Sequence, residues 1–485
     1  MNREKKIKPE KMPAIICALL ILTITGCVLV DPTDPFEPQH SSSYMLPSYG
    51  SSDGEIISAE ESTVSIPPEL TLGVAIGIAL TNNPGIAAKA YDVEASDALY
   101  DRAWGALLPK VEARAGLTQY RQNRIINPRR PGTIDTIYFA DRQLSGDIVL
   151  RTPLFAGGRL IKGVRAADLS RHAVLRDLAH TREELVFNVS SIYYSIMAQK
   201  SVVQSLKFSQ DVLDEHLKKI REMIRAQKAA KVDELRTEVR MADLEQQLVE
   251  EKNILAIQRQ AFINMLGINI RCDSPPAVTG GFRNTTAFHL NHSASIAKAF
   301  VFRNDYRAMR LALKAQAEKV DIARGRHLPD VMLEATTGNR WDARNTTDDN
   351  EVGSVGVAVS LPIFEGGMIN AEIRRERAKL HAMQERLREK ELRIRLEVET
   401  AILNINSSLE RVRATEKSIE QAIESLRVER EKYSFAKGSI TDVLDAQAAL
   451  LTTQVSYSRA LADHSTAIAE YNFAVGKNFN EENEK

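Results

Sequence analysis

Three cysteines and nine histidines are the residues of this chain best suited to covalent or metal chemistry, and their spacing leaves that chemistry little room. Cys17 and Cys27 fall within the first thirty residues. That leaves Cys272 as a lone thiol, which forms neither an internal disulfide nor a cysteine cage for a metal. His289-(x)2-His292 follows Cys272, but the three share an irregular segment with loose spacing for metal ligands, so no metal site is expected. The sequence holds no phosphate loop, no His-Glu-(x)2-His pair and no nucleophile elbow. No catalytic residue is assigned and no enzyme is expected. With 64 basic residues against 64 acidic ones, the chain lacks the cationic excess of a nucleic-acid binder.

Cys27 is the cysteine with a chemical reading. Arg3, Lys5, Lys6, Lys8 and Lys11 precede a short apolar run over residues 14–24, the charge order and length of a secretory signal. The run closes as Ile24-Thr25-Gly26-Cys27, which resembles a bacterial lipobox. The resemblance implies cleavage after residue 26 and lipidation of Cys27, with palmitate among the acyl chains. Several chains on one cysteine anchor firmly. That covalent lipid is the one non-protein group expected; no cofactor is. Val28 follows where Asp does not, which suits delivery to the outer membrane. Residues 27–68 contain Pro32, Pro35, Pro38, Pro47, Pro67 and Pro68 among serines and read as an extended tether.

The remainder is written twice. Leu108-Pro109 returns as Leu328-Pro329, and Pro153-Leu-Phe-Ala-Gly-Gly158 as Pro362-Ile-Phe-Glu-Gly-Gly367. Val189, Asp233, Leu235 and Gly267 return as Val398, Asp442, Leu444 and Gly476. Self-similarity at this length marks two structural repeats, at 69–270 and 295–477, joined by a linker at 271–294 and followed by a polar tail at 478–485. Each half reads helix, strand, loop, strand, long helix, tight break, helix. A first helix over 70–107 leads to strands at about 111–121 and 143–152. In the second half the strands fall at about 330–338 and 352–361. Alternation such as Val355, Val357, Val359 gives each strand one apolar and one polar face.

Two proline-free stretches, about 158–227 and 367–435, are the strongest pattern. Val398, Ile402, Ile405, Leu409, Val412, Glu416, Ile419, Ile423, Leu426, Arg430 and Tyr433 step by threes and fours, a heptad with two charged interruptions. Val203, Leu206, Gln210, Leu213, Leu217, Ile220 and Ile224 repeat it. Seventy helical residues span about 105 Å, a rod longer than a globule. After residue 30 no apolar run reaches the roughly 18 residues of a spanning helix, so a membrane would have to be crossed by strands closed into a barrel. Four strands are too few, because outer-membrane barrels begin at eight, and a cyclic oligomer supplies the rest.

The fold class is thus mainly α with a transmembrane β portion, and here the residues resemble the TolC-type outer-membrane efflux proteins. The resemblance runs from about residue 69 to 477. Its marks are Leu72-(x)2-Ala75-Ile76-(x)2-Ala79-Leu80-(x)2-Asn83-Pro84, the two Pro-(x)-Phe-(x)-Gly-Gly turns, and Tyr433-(x)8-Asp442-Val-Leu-Asp-Ala-Gln447. It implies a homotrimer with a 12-stranded barrel above a 12-helix periplasmic tunnel, docked to a periplasmic adaptor and an inner-membrane pump. It also implies a passive duct for efflux or type I secretion in the outer membrane, held there among lipid. By the same resemblance Asp442 and Asp445 ring the tunnel mouth, where repeated carboxylates favour cations, and Tyr433 keeps the tip closed. Asp442 also completes a Ser439-(x)2-Asp capping pattern. Ala436 stands in place of the family's turn glycine and Gly438 where some members carry a closing arginine; Gly438 can supply the positive φ and displace the turn. Ala229, Ala230 and Lys231 at one tip, with Lys437, Gly438 and Ser439 at the other, are the expected adaptor contacts. The competing reading is a structural lipoprotein that braces the envelope without conducting, for which amphipathic strands have no use.

Overall fold

The computed structural model describes residues 69–125, 139–268, 277–283, 290–343, 351–435 and 437–477. The readings made for Cys27 and its tether, Cys272, His289, Ala436 and the tail at 478–485 lie outside them. The chain divides into residues 1–66 and 67–485, and the second unit is the one described below.

Strand β1 (Glu69–Leu70) precedes helices α1 (Leu72–Asn82) and α2 (Pro84–Gly105). The single helix expected over 70–107 is therefore two. Pro84 forces Asn83 out of the helical region, to φ −68° and ψ 121°. Asn83 then caps α2, its side-chain oxygen accepting from the Gly85 and Ile86 amides. Strands β2 (Lys110–Ile125) and β3 (Phe139–Ala156) follow, then the rod α3 (Arg159–Arg225) and the return helix α4 (Lys231–Met265).

The second half repeats the order. It comprises β4 (Ala277–Val278), α5 (His292–Phe302), α6 (Asn304–Gly325), β5 (Asp330–Asp342), β6 (Glu351–Ser360), the rod α7 (Met368–Ser434) and the return helix α8 (Ile440–Val475). The stretch read as a plain linker carries structure of its own. β4 pairs in parallel with β1, and the Tyr193 hydroxyl of α3 donates to the Thr279 carbonyl at 2.6 Å.

Both rods have 67 residues, about 100 Å at 1.5 Å per residue. The shorter helices stack along them: α2 and α4 pack on α3, α6 and α8 on α7, while α3 also packs on α6 and α8. The seam of α7 buries Ile394, Val398, Ile402, Ile405, Leu409 and Val412, but of the heptad positions beyond it only Leu426 is buried and Ile423 is 52% exposed. The stripe opens where Glu416 and Arg430 interrupt it, since a charge at a seam position resists desolvation. A groove of about 560 Å³ lies there, between α3 and α7 over α8, walled by Phe208, Val212, Ile423, Leu426, Leu450 and Leu451.

The duplication extends to how each return helix ends. α4 stops before Gly267 (φ 72°) and α8 at Gly476 (φ 75°), each pressed on the break between two helices. A methyl group on Gly267 would sit 2.3 Å from the Asn82 carbonyl oxygen, and one on Gly476 2.8 Å from the Arg303 nitrogen. The Asn83 side chain donates to the Met265 carbonyl at 2.9 Å, and Arg303 donates to the Ala474 carbonyl at 3.2 Å. Arg303 is buried and pairs with Asp305 at 2.8 Å and with Glu397. Burial alone would raise the Asp305 carboxyl, but Arg303 and then Lys390 hold it far below the usual range.

Candidate functional site

Four strands form one antiparallel sheet in the order β2-β3-β5-β6, with β2 and β6 each paired on one side among the described residues. Residues directly opposite across antiparallel strands share a face, so the register sorts every side chain. Val355, Val357 and Val359 lie across from Ala335, Leu333 and Val331. Ala335 lies across from Leu150, and Leu150 from Val111; Leu144 opposes Leu117. That face is apolar and open, with Val111 68%, Val355 78% and Val359 67% exposed.

The other face carries Glu112, Arg114, Asp147, Arg151, Glu334 and Arg340. There Arg151 pairs with Glu334 at 3.0 Å and Glu112 at 3.5 Å, Arg114 with Glu112 at 2.7 Å, and Arg340 with Asp147. A sheet greasy on one side and charged on the other has the apolar-out, polar-in pattern of a lipid-facing barrel wall. Its strands of 10 to 18 residues match or exceed the ~9–11 that cross a bilayer. Among the described residues no helix is long and apolar enough to cross a membrane. β2, β3 and β5 run beyond the expected ends because the ladders continue there: Arg142 pairs with Gln119 and Trp341 with Leu144.

The sheet feeds the rods through the two Gly-Gly turns. Gly157 and Gly158 have φ of 59° and 73°, and Gly366 and Gly367 of 59° and 80°, a left-handed pair open to glycine. Gly158 and Gly367 are the N-caps of α3 and α7.

At the far end, α3 turns into α4 through a Schellman ending: the Lys228 amide donates to the Met223 carbonyl at 2.8 Å and Gln227 to Ile224 at 2.9 Å. Gln227 takes the positive φ of 60° that this ending needs. Ala230 and Lys231 are exposed and Ala229 half-buried. Lys231, together with Arg221, pairs with Glu234 and holds that carboxyl below its usual value. At the other tip Lys437 and Ser439 are exposed. Gly438 does not take a positive φ, contrary to the expectation of a displaced turn. Its bare Cα instead admits close packing, since a Cβ there would meet the Lys432 Cβ at 3.0 Å.

Ser439 and Asp442 form a full capping box: the Ser439 amide donates to the Asp442 carboxylate at 3.2 Å. Asp442 and Asp445 are both exposed, with Val443, Leu444, Ala446 and Gln447 turned inward. Gln447 donates to the Ser209 carbonyl at 3.2 Å and ties α8 to α3. The tips stand side by side, since Arg236 of α4 donates to the Thr441 hydroxyl of α8 at 2.8 Å.

Tyr433 is half-buried and reaches across to the first rod. Its ring lies 5.7 Å from that of His216, tilted by 57°. Burial first, and the Asp233 carboxylate second, push its hydroxyl above the usual phenol value. His216, Asp233, Arg236 and Thr441 are site residues that the sequence reading missed. Each faces the other half of the chain, and no local spacing marks such a contact.

The outer membrane efflux protein family matches residues 75–268 and 296–477. The chain belongs to this family. The two matched blocks are the two sequence repeats, each with its pair of strands and its rod. TolC of Escherichia coli (strain K12) is 29% identical over 180 residues, covering 35% of each chain, so this chain spans about a third of that curated relative. The cobalt-zinc-cadmium resistance protein CzcC of Cupriavidus metallidurans is 21% identical over 84% of this chain and 90% of its own. The crystal structure of the outer membrane protein VceC from Vibrio cholerae shares the fold, with a TM-score of 0.71 at 17% identity, over 84% of this chain and 96% of that one. The efflux-family fold is thus the one that the mainly helical reading with four strands expected.

Proposed function

We propose that this efflux-family chain is the outer-membrane channel subunit of a tripartite efflux or type I secretion system, a passive duct and not an enzyme. The observation that carries the reading is the four-stranded sheet with one apolar face, one charged face and two edges unpaired among the described residues. Backbone groups on an unpaired edge cost several kcal/mol each in hydrocarbon, so β2 of one copy takes up β6 of the next. Three copies give twelve strands, and their rods and return helices the tunnel below. A lipid on Cys27 adds a second hold on the outer membrane.

In this reading Asp442 and Asp445, exposed at the start of α8, form two stacked carboxylate rings at the periplasmic mouth. Tyr433 closes the mouth from α7. Ala229, Ala230 and Lys231, with Lys437, Gly438 and Ser439, meet the adaptor that links the channel to an inner-membrane pump. Mass measurement of the detergent-extracted protein, paired with planar-bilayer recording, tests the proposal. A trimer with discrete conductance steps is expected; a stable monomer that passes no current would overturn it.

A further inference from the structure

His216 sits on the buried side of α3, one residue before the buried Leu217. Its Nε2 is enclosed and has no hydrogen-bond partner among the described residues. Two cations and a phenol face it. α3 itself presents Lys219, and α7 presents Arg430 and the Tyr433 phenol. Asp233 at the start of α4 lies beside Tyr433, while on α7 Glu431 lines the adjoining groove and Glu429 is paired with Lys432. The imidazole is thus suited to be neutral, with its ring against Tyr433.

We infer that His216 is the positioning residue of the tip: neutral, it holds Tyr433 and the end of the second rod against the first rod, and protonated, it releases them. The inference rests on the channel reading above for its consequence, that acid favours the open mouth. An imidazolium here would be a third cation beside Arg430 and Lys219, and burial would deny its ring the solvent it needs when charged. The groove lined by Arg430 and Ser434 adjoins the contact and leaves α7 room to move.

The direction of the pH effect follows. Burial first, then Arg430 and Lys219, push the His216 pKa below its ordinary value. In the released state the ring is solvated and titrates near ~6.5. The contact is therefore at full strength above about pH 6.5, and it weakens as pH falls toward the lower value of the closed state. Each unit separating the two values is about a tenfold shift toward release.

Planar-bilayer recording of the full chain at about pH 7.5 and about pH 5.5 provides one arm of the test. Wild type should open several-fold more often at the lower pH. His216→Phe, which keeps a ring against Tyr433 but cannot titrate, should stay closed at both. An unchanged acid response in His216→Phe, or none in wild type, overturns the inference. Amide exchange of wild type over residues 428–435, corrected for intrinsic rates, is the second arm and needs neither a variant nor a current. Protection should drop in acid, and equal protection at both pH values would reject the role of His216. Absence of pores at any pH would fault the channel reading alone, and the exchange arm would still decide this one.

Discussion

Gly476 ends α8 with a positive φ and no room for a methyl group. Gly476→Ala therefore meets both left-handed strain and a backbone clash at Arg303, and should cost about 1–3 kcal/mol. Gly77, inside α1 with open space around its Cα, is the opposite case. Gly77→Ala should stabilise by about 0.5–1 kcal/mol through helix propensity. Thermal unfolding of the two extracted variants would order them, and equal melting points would refute the argument from packing. At the tip, the Asp442→Ala, Asp445→Ala double variant separates a ring from a cap. Loss of divalent-cation block and of cation selectivity in single-channel recordings is expected. If Asp442 acted solely through its capping box with Ser439, ion preference would hold and about 1 kcal/mol of local stability would go.

Elements explain what the sequence made legible. Period-two alternation in Val355, Val357 and Val359 and the heptads of the rods are local patterns, and the strands and both 67-residue helices lie where those patterns run. The paired Gly-Gly motifs were legible for the same reason. β1 and β4 were not, because two residues each are too short for a period, and their pairing depends on bringing residue 69 to residue 277. Nor was the contact of Tyr433 with His216, since a heptad assigns Tyr433 to its neighbouring helix and not to the rod across the groove. The two faces of β6 give a direct element-scale prediction. Val357→Lys puts a charge on the apolar face and should cost about 2–4 kcal/mol of membrane insertion. Ser354→Lys, on the charged face, should be tolerated. Comparable losses of heat-stable assembled protein in both variants would contradict the assignment of the faces.

At the scale of the whole molecule, the chain has two proposed holds on its membrane, a closed barrel and an acylated Cys27. They are separable. A palmitate analogue fed to cells should label wild type and leave Cys27→Ser unlabelled, while the variant still assembles, because in the proposed channel the barrel by itself spans the bilayer. Equal labelling of the two proteins would remove Cys27 as the lipid site. Assembly lost together with the label would show instead that the barrel depends on the anchor.

The middle of the sheet has a consequence for how the chain folds. β2–β3 and β5–β6 are each hairpins between neighbouring segments, whereas Arg151 of β3 meets Glu334 of β5 across 183 residues of sequence. Closing so large a loop costs on the order of 2 kcal/mol more than closing a hairpin, and that entropy is lost before the β3–β5 ladder gives any return. Rods zip by local contacts and shorten the effective loop. The order of events is then helical hairpins first, and last the join that completes the apolar face. Until that join forms, the two hairpins present four open strand edges where the finished sheet presents two, so the late β3–β5 pairing is also the step that removes half of the chain's aggregation-prone edges.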